Sequence, residues 1–145
     1  MERIKVSLPE KFAFSTVIKI RITDLNYGGH VGNDSFLSLV HEARQQYLYR
    51  FGYAELNFAG IGIIMADAAI EFKRELNYGD EVRISVAPSH FDKLGFDLHY
   101  LLEAKIGDTW QIAGKVKTGM MCYDYSLKKR VAVPTEAITK LTAEA

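Results

Sequence analysis

From Ser35 to Phe51 apolar side chains recur at Phe36, Leu37, Val40, Ala43, Tyr47, Leu48 and Phe51, the spacing of one helix face, and Leu39 widens the stripe. A stripe this broad belongs to a deeply packed helix, so the rest of the chain must surround it. Asn33 or Asp34 offers an N-cap oxygen at its start, and Gly52 a left-handed stop at its end. The remainder reads mostly as strand. Phe12 to Ile22 comes before the helix, ending in the alternation Ile18, Ile20, Ile22 against Lys19 and Arg21. Gly62 to Lys73, Glu81 to Ala87, Phe96 to Ala104 and Trp110 to Tyr125 come after it, with a tight hairpin signal at Gly107-Asp108. Pro134 suits the first turn of a short terminal helix from Thr135 to Leu141. No strand–helix–strand rhythm repeats. The expectation is an α+β fold in which an antiparallel sheet of five to six strands wraps one central helix, the last four strands forming a meander and the first adding to them. An exposed edge of such a sheet invites pairing with a second subunit.

Composition narrows the function. The 145 residues suit one domain, 1–145, with 48% hydrophobic and 25% charged residues, which is ordinary globular usage. Lys+Arg and Asp+Glu balance at 18 each, so no global field draws nucleic acid or an anionic membrane, and neither is expected as a partner. Met1 to Lys5 leads into no apolar run, and no stretch of about 20 apolar residues could span a bilayer, which points to a cytoplasmic protein. The lone cysteine, Cys122, excludes an internal disulfide and a cysteine metal cluster, and its strand setting reads as an inert buried thiol. No metal is expected.

The chemistry gathers in one place. Asp24-Leu25-Asn26-Tyr27-Gly28-Gly29-His30-Val31-Gly32-Asn33-Asp34 sets a polar, glycine-bearing turn directly before the helix. Backbone N–H groups at a helix start lack intrahelical partners and stand at the positive end of the dipole, so they can hold a carbonyl oxygen. Around them stand side chains able to orient or deprotonate water. Asp67 falls in an otherwise apolar strand; by alternation it shares a face with Ile63, Met65 and Ala69, where a carboxylate needs a partner or a site.

The order of strand, turn with Gly-His-Val-x-Asn at 29–33, helix with Glu42-Ala43-Arg44, and then Glu71-Phe72-Lys73-Arg74-Glu75-Leu76-Asn77-Tyr78-Gly79-Asp80-Glu81-Val82 resembles the hotdog-fold acyl-CoA thioesterases of the 4-hydroxybenzoyl-CoA thioesterase type. The likeness covers roughly residues 12 to 135. It implies hydrolysis of an acyl-CoA or acyl-carrier-protein thioester, no cofactor beyond the coenzyme A of the substrate, and a homodimer or dimer of dimers with sites at the interface. The position whose backbone N–H polarises the thioester carbonyl in that family matches Asn33.

One departure stands out. Asn26 occupies the place where many members carry a catalytic aspartate, and an amide can orient water or carbonyl but cannot act as base. The candidates for the base are therefore His30, the side-chain type best suited to that role, Asp34, Asp24 and Glu42. Each has a structural alternative. Asn26 can bond the turn backbone, Asp24 can brace the loop, and Asp34 can cap the helix. Glu42, beside the loosely matching His41, can pair with Arg44. Tyr27, Gly29, Phe36, Asp67, Lys73 and Arg74 are the candidates for substrate binding, with His90 and Lys93 as further cations for phosphate. Tyr47, Phe58 and Met65 could line an acyl tunnel or equally serve as core. Two other readings remain: a binding protein that lost its base with the Asp-to-Asn change, and a hotdog hydratase or dehydratase.

Overall fold

The computed structural model describes residues 1–143. In chain order it contains β1 (Phe14–Lys19), a 3-10 turn (Ile22–Asp24), α1 (Asn33–Tyr49), β2 (Gly62–Phe72), β3 (Glu81–Ser89), β4 (Gly95–Ile106), β5 (Thr109–Asp124), β6 (Lys129–Arg130) and α2 (Thr135–Thr142). The strands form one six-stranded sheet in the order β1-β3-β4-β5-β2, with β6 on the end of β5, and every pairing is antiparallel. The sheet wraps α1 as expected, a hotdog fold. No helix among the described residues is long and apolar enough to cross a membrane.

The expected four-strand meander is corrected. Only β3, β4 and β5 meander; β2 pairs with β5 and forms one edge, while β3 pairs with β1. The Asn77–Asp80 turn reads locally as a hairpin, but the segment carrying it crosses the sheet end instead. Leu76 C=O accepts the Val31 N–H at 2.9 Å, Asp80 C=O accepts the Ile20 N–H at 2.9 Å, and Ile20 C=O accepts the Gly79 N–H at 3.0 Å. These long-range bonds lay residues 73–80 against the start of α1 and deliver the chain to β1. The first strand is also shorter than its alternation suggests, because Ile22 opens the 3-10 turn with its side chain exposed.

The helix buries Phe36, Leu39, Val40, Ala43, Tyr47 and Leu48 against alternate sheet residues, among them Ile84, Val86, Leu98, Tyr100, Leu102, Val116 and Met120. Its last turn closes through Gly52, which has φ 77°. The Gly52 N–H reaches Tyr49 C=O at 2.9 Å, and the Tyr53 N–H reaches Leu48 C=O at 3.1 Å. Arg44 is the charged intruder in this core. Its Nη1 donates to Tyr100 Oη at 3.1 Å, and that hydroxyl lies 2.8 Å from Thr118 Oγ1. Its Nε donates to Glu55 Oε1 at 3.3 Å. The expected Glu42–Arg44 pair is thus corrected: residues two apart point to different sides of a helix, and the exposed Glu42 accepts from Gln46 Nε2 at 3.1 Å instead.

β2 carries a bulge between Met65 and Asp67. Before it, Ile63 and Met65 lie opposite Cys122 and Met120; after it, Ala68 and Ile70 lie opposite Thr118 and Val116. The extra residue flips the strand, so Asp67 leaves the face of Ile63 and Met65, contrary to the simple alternation. Its Oδ1 accepts the Gly119 N–H at 3.0 Å and the Lys117 ammonium at 2.8 Å. The Lys117 bond, helped by the Lys117 charge and the Gly119 N–H, holds the Asp67 carboxyl below its usual range, although desolvation, the second-largest influence, opposes it.

On the same face lies His99, 5% exposed, with Nδ1 2.9 Å from Ser89 Oγ. Burial lowers its pKa from 6.5, with smaller lowering from His90 and Lys117 and opposition from Asp97. A folded-state value below the unfolded one means that the unfolded chain binds more protons as pH falls past the unfolded value, so acid removes stability. Between about pH 7 and pH 5 the protein is expected to lose stability, and His99→Gln to shrink that loss, as thermal melts across the range would show.

Cys122 is fully buried, and desolvation with a small contribution from Asp92 pushes its thiol up to about 11. An aromatic disulfide reagent at pH 8 is expected to leave native protein unmodified and to titrate one thiol after denaturation; rapid native labelling would contradict the packing.

Candidate functional site

The turn before α1 is built from its own polar side chains. Asp24, 5% exposed, accepts the Arg21 N–H at 2.8 Å and the Arg21 guanidinium at 3.3 Å, which braces the 3-10 turn. Asn26 Oδ1 accepts the Gly28 N–H at 2.9 Å, and Asn26 C=O accepts the Gly29 N–H at 3.1 Å. Gly29 sits at φ 85°, a conformation that glycine adopts without strain. The Asn26 N–H then closes the loop onto His30 C=O at 2.9 Å.

Gly32, not Asn33 or Asp34, caps the helix, with φ −74°, ψ 162° and no side-chain cap bond. Asn33 is the first helical residue. The first ladder bond runs from the Phe36 N–H to Gly32 C=O at 3.0 Å. The amides of Asn33, Asp34 and Ser35 therefore have no partner within the helix. An uncapped start of this kind leaves donors for a ligand oxygen. Asp34, in the first turn, adds a carboxylate favoured by the helix dipole.

Gly32 also sets how closely two of the candidates approach. A Cβ there would stand 2.7 Å from Asp34 Oδ1, 3.3 Å from Asn26 Cβ and 3.5 Å from Asn26 Nδ2. Asn26 and Asp34 are therefore neighbours across a bare glycine. Gly32→Ala is compatible with the backbone angles but would push them apart, so a loss of activity with a nearly unchanged melting temperature is expected.

A cleft of about 520 Å³ opens at this helix start, lined by Asn26, His30, Asn33 and Phe36 on one side and by Phe72, Lys73, Arg74 and Glu75 on the other. Phe36 and Phe72 meet edge to face at 5.1 Å. His30 is half-exposed, and its Nε2 lies 3.7 Å from Glu75 Oε1, a carboxylate able to orient the ring. Lys73 and Arg74 are held by their backbones, both N–H groups donating to Ala113 C=O, at 2.9 and 3.1 Å. The cleft thus places free amide donors, an imidazole, an aromatic wall and two cations together.

The other candidates fall elsewhere. Asp24 and Glu42 line a separate groove of about 680 Å³ between β1 and α1, with His41. Tyr27 projects fully into solvent. Asp67 is on the outer sheet face with Lys117, and His90 Nδ1 is engaged there by Ser89 Oγ at 3.0 Å and Asp97 Oδ2 at 3.3 Å. Phe58 is core, Met65 is half-exposed on β2, and Tyr47 borders another apolar cavity of about 570 Å³ with Phe12, Val86 and Leu141. That cavity brings none of the turn residues together. The sequence did not single out Glu75 or Phe72, which reach the cleft only through the crossing of residues 73–80. Nor did it pair His41 Nε2 with Glu55 Oε1, 2.8 Å apart although Glu55 lies beyond the helix end.

Three comparisons bear on this arrangement. The chain is 29% identical over 118 residues, 79% of each chain, to a 1,4-dihydroxy-2-naphthoyl-CoA hydrolase of Thermosynechococcus vestitus. Its fold is similar to that of a Thermus thermophilus thioesterase complexed with coenzyme A and zinc (TM-score 0.80, 22% identity, 94% of this chain and 97% of that one). It is also similar to a 1,4-dihydroxy-2-naphthoyl-CoA thioesterase from Synechocystis (TM-score 0.79, 18% identity, 89% and 95%). The profile of the thioesterase-like superfamily matches residues 20–141, a span that contains the turn, the cleft and most of the core, and the chain belongs to that superfamily.

Proposed function

We propose that this thioesterase hydrolyses an acyl-CoA in the cleft at the start of α1, with the Asn33 N–H as oxyanion donor and His30 as general base. The observation that carries the reading is the convergence on one cleft of an uncapped helix start, His30, and the Lys73–Arg74 pair. The Asn33 amide meets the thioester oxygen as it gains charge in the transition state. Water attacks the carbonyl carbon and gives a proton to His30; the tetrahedral intermediate then expels the thiolate, which takes that proton back. Asn26, its Oδ1 bound to Gly28, has Nδ2 left to orient water or carbonyl. Asp34, facing Asn26 across Gly32, is the second acceptor at the turn.

Coenzyme A is favoured over a carrier protein because Lys73 and Arg74 stand at the cleft where its phosphates need cations. The curated relative and the Thermus structure carry coenzyme A in their names as well. A homodimer is part of the reading: β2 is an edge strand that leaves Ile64, Met65 and Phe72 exposed, surface that pairing with a second copy would cover. The non-catalytic alternative draws on Asn26, whose side-chain oxygen serves the turn. Thiol release measured across aromatic and aliphatic acyl-CoAs decides between them. Turnover well above buffer on at least one substrate is expected, and tight binding without turnover on all would make the protein a binder.

A further inference from the structure

Residues 1–13 form no helix or strand, yet Val6 is only 7% exposed. Its N–H donates to Glu71 Oε1 at 3.1 Å, across 65 residues of chain. The other oxygen of that carboxylate, Oε2, lies 2.6 Å from Lys73 Nζ. Glu71 and Lys73 flank Phe72, whose ring packs on Phe36 in the cleft that Lys73 also lines. One carboxylate thus ties the N-terminal segment to a cation at the cleft. Its side chain is 15% exposed, that of Lys73 44%. The Lys73 bond first, then the Val6 N–H, hold the Glu71 carboxyl below its usual range.

We propose that Glu71, fixed by the Val6 amide, is a positioning residue that holds the Lys73 ammonium ready for a phosphate of coenzyme A, which makes the N-terminal segment part of the nucleotide end of the site. The inference rests on the thioesterase reading, with Lys73 as a phosphate contact. A lysine stem is flexible, and ordering it at the moment of binding weakens the contact. Glu71 orders it beforehand. It occupies one of three ammonium donors and leaves the others for a ligand.

The test compares Glu71→Gln, which keeps an oxygen for Val6 but removes the charge facing Lys73, with Val6→Pro, which removes the amide donor. Both are assayed on an acyl-CoA and on the acyl-pantetheine thioester of the same acyl group, which has no phosphate. KM for the CoA ester is expected to rise roughly three- to tenfold with kcat within about twofold, and KM for the pantetheine ester to stay unchanged. An equal rise on both substrates would show a merely structural role. An unchanged or lower KM for the CoA ester in Glu71→Gln would show that Glu71 does not prepare Lys73. Lys73→Ala separates the two levels. If it leaves the CoA KM unchanged, the phosphate reading of the cleft fails; if it raises that KM while Glu71→Gln does not, only the present inference fails.

Discussion

Asn33→Pro is expected to lower kcat by about two to three orders of magnitude while the protein stays folded. Asn33 is the first residue of α1, where proline is tolerated because its φ suits the helix and its missing N–H has no intrahelical partner. The substitution removes the one donor assigned to the oxyanion and little else. Asn33→Ala keeps the amide and should retain most of the rate. The pair isolates backbone from side chain: a proline variant as active as the alanine variant, with an unchanged far-ultraviolet dichroism spectrum, would place the oxyanion elsewhere.

His30→Ala is expected to have an effect of comparable size, about 100-fold or more in kcat. The wild-type profile of kcat/KM should show a limb that rises with pH, since the base must be unprotonated to accept the water proton. The alanine variant should lose that limb. Glu75 Oε1 lies 3.7 Å from Nε2, so Glu75→Gln should lower kcat by loosening the orientation of the ring. If Asp34→Asn instead abolishes turnover while His30→Ala leaves it intact, the base is the carboxylate across Gly32. Asp24 and Glu42 are the reverse controls, because they line the groove between β1 and α1.

The helix and the strands were legible because their signals are local. The stripe from Phe36 to Phe51 fixes the buried face, Gly52 the end, and the resemblance over the turn and the 71–82 segment the family. Pairing was not legible in the same way. Asn77 to Asp80 has turn chemistry, but bonds from Val31 and Ile20 decide where the chain goes next, and those partners lie far away in sequence. Asp67 shows the same limit on a smaller scale. One extra residue at the bulge reverses the face, and a two-residue period cannot register it.

Within the site, the sequence indicated the turn, the helix start and the basic pair, which the fold brings to one cleft. It could not distinguish His30 and Asn26 from Asp24, a few residues away, whose carboxylate is turned onto the Arg21 backbone. That distinction depends on the 3-10 turn. Similarly, Arg44 and Glu42 look like partners in sequence, but the loop after the helix returns Glu55 to Arg44.

If the thioester carbonyl rests on the Asn33 amide, a crystal structure with a ketone analogue, in which methylene replaces the thioester sulfur of an acyl-CoA, will show it. The ketone oxygen is expected at about 3 Å from Asn33 N, with the nucleotide phosphates toward Lys73 and Arg74. An oxygen far from that amide, or an acyl group seated only in the cavity beside Phe12 and Tyr47, would contradict it.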